Sequence, residues 1–188
     1  MNSKTKTMVG IGLFTAIVVV LQLLGGGIHF GMFSITLVLV PIVVGAAVYS
    51  WKAGAWLGLA FGITVLLTGD AAGFMAVDPL ATVLVVLLKG AVCGLVAGIV
   101  YALLKRVNGV LAVVAAAVVC PVVNTGIFLI GCNLFFYEKI TEWAAMYGYA
   151  DAASYMLFGL AGINFLIELG VNILLAPVIV RLIKMGSK

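Results

Sequence analysis

Residues 80–104, LATVLVVLLKGAVCGLVAGIVYALL, form the stretch of the chain that most constrains its fold. A helix of this length can cross a bilayer, because a hydrocarbon layer of about 30 Å needs about 20 apolar residues. The stretch also carries a lysine, Lys89, which lies about ten residues from its first residue, or roughly 15 Å along a helix. A charged side chain at that depth is costly, and it marks a candidate functional site.

The composition of the whole chain indicates an integral membrane protein. Of its 188 residues, 65% are apolar and 9% are charged, and the mean hydropathy is +1.35. Since roughly a quarter of the residues in an average soluble domain are charged, this chain has too little polar surface to cover a water-soluble fold. The net charge of +4 does not indicate nucleic-acid binding, because the basic residues lie in short tails and loops beside apolar runs.

Six apolar runs predict an all-α integral membrane fold, a six-transmembrane-helix bundle in a single membrane domain of residues 1–188. The predicted spans are residues 8–24, 33–50, 53–68, 80–104, 110–136 and 155–183. This arrangement places Lys139 on one side of the membrane and most other basic residues on the opposite side, namely Lys4, Lys6, Lys52, Lys105, Arg106, Arg181, Lys184 and Lys188. Because loops rich in lysine and arginine stay inside, both termini are predicted to be cytoplasmic.

Glycines recur every four residues in the third and fourth predicted spans. They are Gly54, Gly58 and Gly62 in one span and Gly90, Gly94 and Gly98 in the other. Small residues at this spacing let membrane helices approach closely, which favours a packing seam inside the protein, with a dimer interface as the alternative. A shorter pattern in the first span, Gly12 and Ala16, is a candidate docking face for another membrane subunit.

Polar side chains from three predicted helices fall at similar depths. Lys89 in the fourth span, Asn124 in the fifth and Asn164 and Glu168 in the sixth lie roughly 12 to 18 Å from the outer ends of their helices. Asn164, Glu168 and Asn172 share one helix face because they are spaced four residues apart. Convergence of this kind is what a substrate site near the membrane midplane requires.

The same residues admit other interpretations. Lys89 and Glu168 can form an ion pair that only neutralises both charges, with the asparagines as hydrogen-bond partners between helices, each worth about 0.6 kcal/mol. An ion or proton relay is a third interpretation. The sequence has one histidine, no hydrolase or metalloprotease motif and no cysteines at metal-ligand spacing, so we expect no catalysis, no metal and no cofactor.

Two glycine-containing loops on the predicted outer side are candidate lids for such a site. Residues 25–32, GGGIHFGM, contain His29 and Phe30, and residues 69–79, GDAAGFMAVDP, contain Asp70 and Phe74. Glycine-rich loops of this kind can move to close over a ligand.

The pattern as a whole resembles the S-component, the substrate-capture subunit, of an energy-coupling factor (ECF) transporter. Residues 40–74, VPIVVGAAVYSWKAGAWLGLAFGITVLLTGDAAGF, resemble the second and third helices of that superfamily, and residues 121–136, PVVNTGIFLIGCNLFF, resemble its fifth helix. The resemblance implies a bacterial plasma-membrane subunit that captures a small water-soluble vitamin, riboflavin- or pantothenate-like, from outside for ATP-driven uptake.

The resemblance also implies partners and residue roles. A transmembrane T-component and two cytoplasmic ATPase subunits would supply the energy, which fits the lack of a phosphate-binding loop in the sequence. Gly12 and Ala16 would contact the T-component, and the two loops would cover the substrate. The substrate-binding residues would be Lys89, Asn124, Asn164 and Glu168. The competing hypotheses are a structural or assembly subunit that the Lys89–Glu168 pair stabilises, and a stand-alone secondary transporter.

Overall fold

The structure is a computed structural model that describes residues 3–25, 29–30, 33–34 and 37–186. Helices dominate these residues, and a two-stranded antiparallel hairpin with His29 opposite Ser34 and Phe30 opposite Phe33 follows the first helix. The helices are α1 (Ser3–Gly25), α2 (Leu39–Val48), α3 (Trp51–Thr68), α4 (Ala72–Met75), α5 (Pro79–Leu104), α6 (Gly109–Phe135), α7 (Tyr137–Met146), α8 (Ala152–Ser154), a π-helix (Tyr155–Gly162) and α9 (Ile163–Gly186). The strands are β1 (His29–Phe30) and β2 (Phe33–Ser34).

Five helical stretches of the described chain are long and apolar enough to cross a membrane. They are Lys4–Gly25, Trp51–Thr68, Pro79–Leu104, Gly109–Phe135 and Ala152–Arg181, and α2 is a shorter apolar helix of 10 residues. The predicted span at residues 33–50 thus contains β2 and the shorter α2. Pro41 lies in the first turn of α2, where its missing N–H group costs no helical hydrogen bond, so it belongs to the start of that helix.

Local sequence signals fix where the long helices begin. The side chains of Ser50, Asp78 and Asn108 each accept a backbone hydrogen bond at the first turn of α3, α5 and α6, respectively. Pro79 follows Asp78 directly, and its fixed φ suits the first helical position. At the end of α3, Gly69 adopts a φ of +83°, a left-handed conformation that stops the helix and turns the chain towards α4.

The glycines of α3 and α5 face each other along one antiparallel seam. A Cβ atom placed on Gly58 would lie 1.9 Å from the carbonyl oxygen of Gly90, and one placed on Gly94 would lie 2.1 Å from that of Gly54. The backbones therefore touch at positions where any larger residue would hold them apart. The predicted packing seam is confirmed as a contact inside the protein.

Helix α5 packs along α3 on one side and along α6 on the other. Helix α9 packs against α6 and α2. Helix α1 packs against α2 and α3 through a stripe that includes Phe14, whose ring meets Tyr49 edge-on at 6.0 Å, while its opposite face is exposed. The centre of the bundle is thus bordered by α3, α5, α6 and α9, with one edge of α1 reaching it.

Candidate functional site

A cavity lies between the long helices, in the half of the bundle that contains the connection from α3 to α5. Its volume is about 160 Å³, well above the ~10–15 Å³ that a single buried water needs. The residues that line it come from α1, α3, α4, α5, α6, the π-helix and α9. All four predicted binding residues line this cavity, namely Lys89, Asn124, Asn164 and Glu168.

Lys89 reaches the cavity from α5 because it precedes Gly90, which belongs to the seam with α3. One residue corresponds to about 100° around a helix, so α5 can pack closely on α3 and still direct the lysine elsewhere. The ammonium lies over the ring of Phe128 at 5.0 Å and near the ring of Phe61 at 6.0 Å from their centroids. Such contacts are worth about 2 kcal/mol when the cation is desolvated.

Two carboxylates act electrostatically on the Lys89 ammonium. Glu168 has the stronger effect and Asp70 the weaker. Glu168 lies on α9, where it is 4% exposed. Asp70 follows Gly69 at the end of α3 and lines the same cavity. The cavity therefore contains one ammonium and two carboxylates among its described lining residues.

The buried asparagines have unused hydrogen-bonding capacity. Within the described part of the chain, the Oδ1 atoms of Asn124, Asn164 and Asn172 are buried and have no hydrogen-bond partner. Asn172 donates from Nδ2 to the Glu168 carbonyl at 3.0 Å and is not among the cavity-lining residues. Buried polar atoms in native proteins are nearly always paired, so two such amides at the cavity need an explanation.

Gln22 is a lining residue that the sequence analysis missed. It lies on α1, is 2% exposed, and donates a hydrogen bond from Nε2 to a carboxylate oxygen of Asp70. This bond joins α1 to the segment between α3 and α4. A signal was present in the sequence, because Gln22 is an isolated amide in the apolar run at residues 8–24.

Aromatic side chains form much of the cavity wall. Phe74, predicted as a lid residue, packs edge-on against Phe128 at 5.6 Å, Phe136 at 5.1 Å and Trp143 at 5.4 Å between ring centroids. Phe74 thus connects α4 to both α6 and α7 at the cavity wall. Phe61 and Phe165 complete the set of lining rings.

The other predicted lid residues are placed only in part. His29 and Phe30 form β1, for which the structure describes the backbone. Residues 26–28 and 31–32 of the same predicted lid lie outside the described residues. A lid function for this loop stays a prediction.

The predicted docking residues lie on α1, away from the cavity. Gly12 and Ala16 are both exposed, and a Cβ atom placed on Gly12 would meet no other atom within 4 Å. Gln22, in contrast, lies on the buried face of the same helix. Helix α1 thus presents one face to the cavity, while the face that contains Gly12 and Ala16 is exposed.

A comparison with protein-family models identifies the family of the chain. The family model described as ECF transporter, substrate-specific component, matches residues 6–180. The chain belongs to this family. A search of curated proteins and a search of solved structures find no significant match.

Membership in the ECF substrate-specific components confirms the resemblance seen in the sequence. The chain is a multi-pass membrane protein and a substrate-specific subunit of an ECF transporter. Proteins of this family are substrate-binding subunits of transporters rather than enzymes, and they act on a small molecule within a complex of T-component and ATPase partners. A cavity lined by converging polar side chains is a candidate substrate site in such a subunit.

Proposed function

We propose that this ECF substrate-specific component captures a small water-soluble vitamin or related micronutrient in the cavity between α3, α5, α6 and α9. The ligand enters from outside and is then taken up by ATP-driven partner subunits, a T-component and two cytoplasmic ATPases. In this proposal the chain forms a six-helix bundle in the bacterial plasma membrane with both termini in the cytoplasm. Riboflavin-like and pantothenate-like compounds are the candidates that the sequence resemblance supplies.

One observation carries the proposal. Lys89, Asn124, Asn164 and Glu168 come from three separate helices and line one cavity. Two of them, Asn124 and Asn164, have a buried amide oxygen without a partner in the described part of the chain. Groups of this kind stabilise a folded protein poorly by themselves, since an unmade buried hydrogen bond costs about 1–3 kcal/mol. Binding of a polar ligand would offset that cost.

Residue roles follow from the positions in the cavity. Lys89 and Glu168 would bind polar groups of the ligand in the middle of the bundle, and Asn124 and Asn164 would bind its donors and acceptors. Phe74 and Asp70, with the loop that contains His29 and Phe30, would cover the ligand from outside. Gly12 and Ala16 would form the face that contacts the T-component.

A structural subunit held together by an ion pair is the second candidate, because Glu168 is the carboxylate that acts most strongly on Lys89. The two candidates differ in what a charge-neutral double variant does. Replacing both partners of a buried pair is often neutral or stabilising, whereas removing one leaves an uncompensated charge. The Lys89→Met, Glu168→Gln double variant therefore separates loss of binding from loss of folding.

The experiment measures ligand binding and thermal stability of the purified chain in detergent, using a panel of water-soluble vitamins. For a binding site, Lys89→Met and Asn164→Ala weaken binding about 10- to 100-fold, as expected for a lost hydrogen bond to a charged or buried group. The double variant then folds but does not bind. Lys105→Met, in the exposed turn after α5, serves as a control that leaves binding unchanged. If the single variants lose stability, the double variant regains it, and all of them keep wild-type affinity, the polar residues are structural.

A further inference from the structure

The outer end of the cavity differs in charge from its middle. Asp70 follows Gly69, the residue that ends α3, at the end of the bundle where α5 begins. Lys89, in contrast, lies about ten residues into α5, or roughly 15 Å along that helix. Gln22 donates a hydrogen bond to the Asp70 carboxylate, which keeps this side chain at the cavity wall. A ligand that enters from this end meets a carboxylate first.

The charges that line the cavity are negative in sum. Asp70 and Glu168 oppose the single ammonium of Lys89 among the described lining residues. The loop at residues 26–36 adds one ionisable side chain at most, since its sequence, GGIHFGMFSIT, contains only His29. Even with a protonated histidine there, two cations would balance two carboxylates, and the net charge of the site would be zero.

Lys89 already has neighbours that favour its positive charge. Its ammonium lies over the rings of Phe128 and Phe61 and is attracted first by Glu168 and then by Asp70. A ligand anion at Lys89 would have to displace the attraction of Glu168 and would bring a third negative charge into a site of low dielectric constant. Like charges in such surroundings repel strongly.

The surface around the cavity mouth carries charge of the same sign. Carboxylates lie at this end of the bundle in the α4–α5 connection, on α7 and before α8, namely Asp78, Glu138, Glu142 and Asp151. The single lysine among them, Lys139, forms an ion pair with Glu142. Lys52, Lys105 and Arg106 lie at the opposite end, in the turns before α3 and after α5. A surface of one sign repels ligands of that sign during approach.

The charges in the cavity and around its mouth restrict the chemical class of the ligand. We infer that the site selects against anions, and that its ligand is neutral or cationic, with an N–H or O–H donor that meets Asp70 at the cavity mouth. The inference rests on the proposed function, because it takes this cavity to be the substrate site. Of the two candidate types above, it favours the uncharged riboflavin-like compound over the anionic pantothenate-like one.

Matched pairs of probes that differ mainly in charge test the inference. Suitable pairs are panthenol and pantothenate, nicotinamide and nicotinate, and riboflavin and riboflavin 5′-phosphate. Binding of each probe to the purified full chain is measured by calorimetry, and small molecules retained through purification are identified by mass spectrometry. We expect the neutral member of any pair that binds to bind at least about tenfold more tightly than the anionic member.

Asp70→Asn is the decisive variant, with Asp78→Asn as its control. Asparagine keeps an oxygen that can accept the hydrogen bond from Gln22, so Asp70→Asn removes mainly the charge. Asp78 caps α5 through the Ala81 N–H group and does not line the cavity, and asparagine caps helices equally well. We expect Asp70→Asn to reduce the preference for the neutral probe about tenfold, whereas Asp78→Asn, which removes a charge outside the cavity, should change it by less than about twofold.

Each outcome decides the inference. Equal or tighter binding of the anionic member by the wild-type chain overturns the inference and leaves the proposed function standing, as does a retained ligand that is an anion. Unchanged selectivity in Asp70→Asn also overturns it. If no probe binds and no small molecule is retained by the folded protein, the proposed function fails, and the inference fails with it.

Discussion

Replacing Gly58 by alanine is the sharpest perturbation of this bundle. The added Cβ atom would lie 1.9 Å from the carbonyl oxygen of Gly90 and 2.7 Å from its carbonyl carbon, whereas real Cβ atoms essentially never come closer than 3.0 Å to another heavy atom. Both contacts are with backbone, which cannot rotate away as a side chain would. Helices α3 and α5 must therefore move apart by about 1 Å, and neighbouring contacts along the seam weaken.

Overpacking typically lowers the free energy of unfolding by about 1–3 kcal/mol, and we expect a loss of this size for Gly58→Ala. For a chain of this length, each kcal/mol lowers the melting temperature by roughly 2–4 °C, so a fall of about 2–12 °C is expected. Gly12→Ala is the matched control, since it gains the same helix propensity, about 1 kcal/mol, but meets no atom within 4 Å. The difference in melting temperature between Gly58→Ala and Gly12→Ala therefore measures the effect of the steric clash alone.

Thermal unfolding of the detergent-solubilised chain, followed by size-exclusion chromatography of the heated samples, measures the effect. The series should be graded, because the closest contact is 1.9 Å at Gly58, 2.4 Å at Gly54 and 2.8 Å at Gly62. We expect alanine at Gly58 to be the most destabilising and alanine at Gly62 the least. The reasoning is refuted if Gly58→Ala is as stable as Gly12→Ala, or if the order of the series is reversed.

Three further predictions concern the cavity wall, a helix cap and the docking face. Phe128→Leu removes the ring 5.0 Å from the Lys89 ammonium and should weaken ligand binding about 2- to 30-fold in calorimetry. A backbone N–H group three residues further on holds the pKa of the Asp151 carboxyl below its ordinary value. Asp151→Ala should therefore lower the melting temperature slightly at pH 7, and less as the pH falls below about 4. The Gly12→Leu, Ala16→Leu double variant should lose co-purification with the T-component while it keeps ligand affinity.

Each of these predictions has a control and a contradicting result. Phe128→Tyr keeps an aromatic face over Lys89. Equal losses of affinity in the leucine and tyrosine variants would therefore show that this ring contact does not contribute to ligand binding. Asp151→Asn keeps a capping oxygen, and a destabilisation by Asp151→Ala that does not vary with pH would contradict the role of the charge. Intact assembly of the Gly12→Leu, Ala16→Leu double variant would contradict the assignment of this face of α1 as the contact with the T-component.

Much of the helical framework can be predicted from the sequence, because apolar length and glycine spacing are local properties. The glycine seam is predictable from a repeat of four residues in two spans, whereas the pairing of Gly58 with Gly90 depends on how α3 packs on α5. Depth alone groups the four polar residues that line one cavity in the structure, namely Lys89, Asn124, Asn164 and Glu168. Depth is predictable because a helix rises 1.5 Å per residue wherever it stands in the bundle.

Other features depend on how the helices pack against each other, and no local sequence pattern predicts them. The hydrogen bond from Gln22 to Asp70 joins residues that are 48 positions apart, and only the packing of α1 against α3 brings them together. The π-helix Tyr155–Gly162 has no sequence signal that we recognise, although Leu160 and Ala161 within it line the cavity. The shortness of α2 reflects the hairpin before it, which an apolar run does not distinguish from helix.

Native mass spectrometry of the wild-type chain, purified from cells grown in rich medium, tests the central claim most directly. If the cavity is the substrate site, the folded chain carries one small, water-soluble molecule, or binds one from the vitamin panel, at one molecule per chain. The Lys89→Met, Glu168→Gln double variant, equally well folded, carries none. A folded wild-type chain that neither retains nor binds such a molecule, or a double variant that retains it at full occupancy, would contradict the assignment of this cavity as the substrate site.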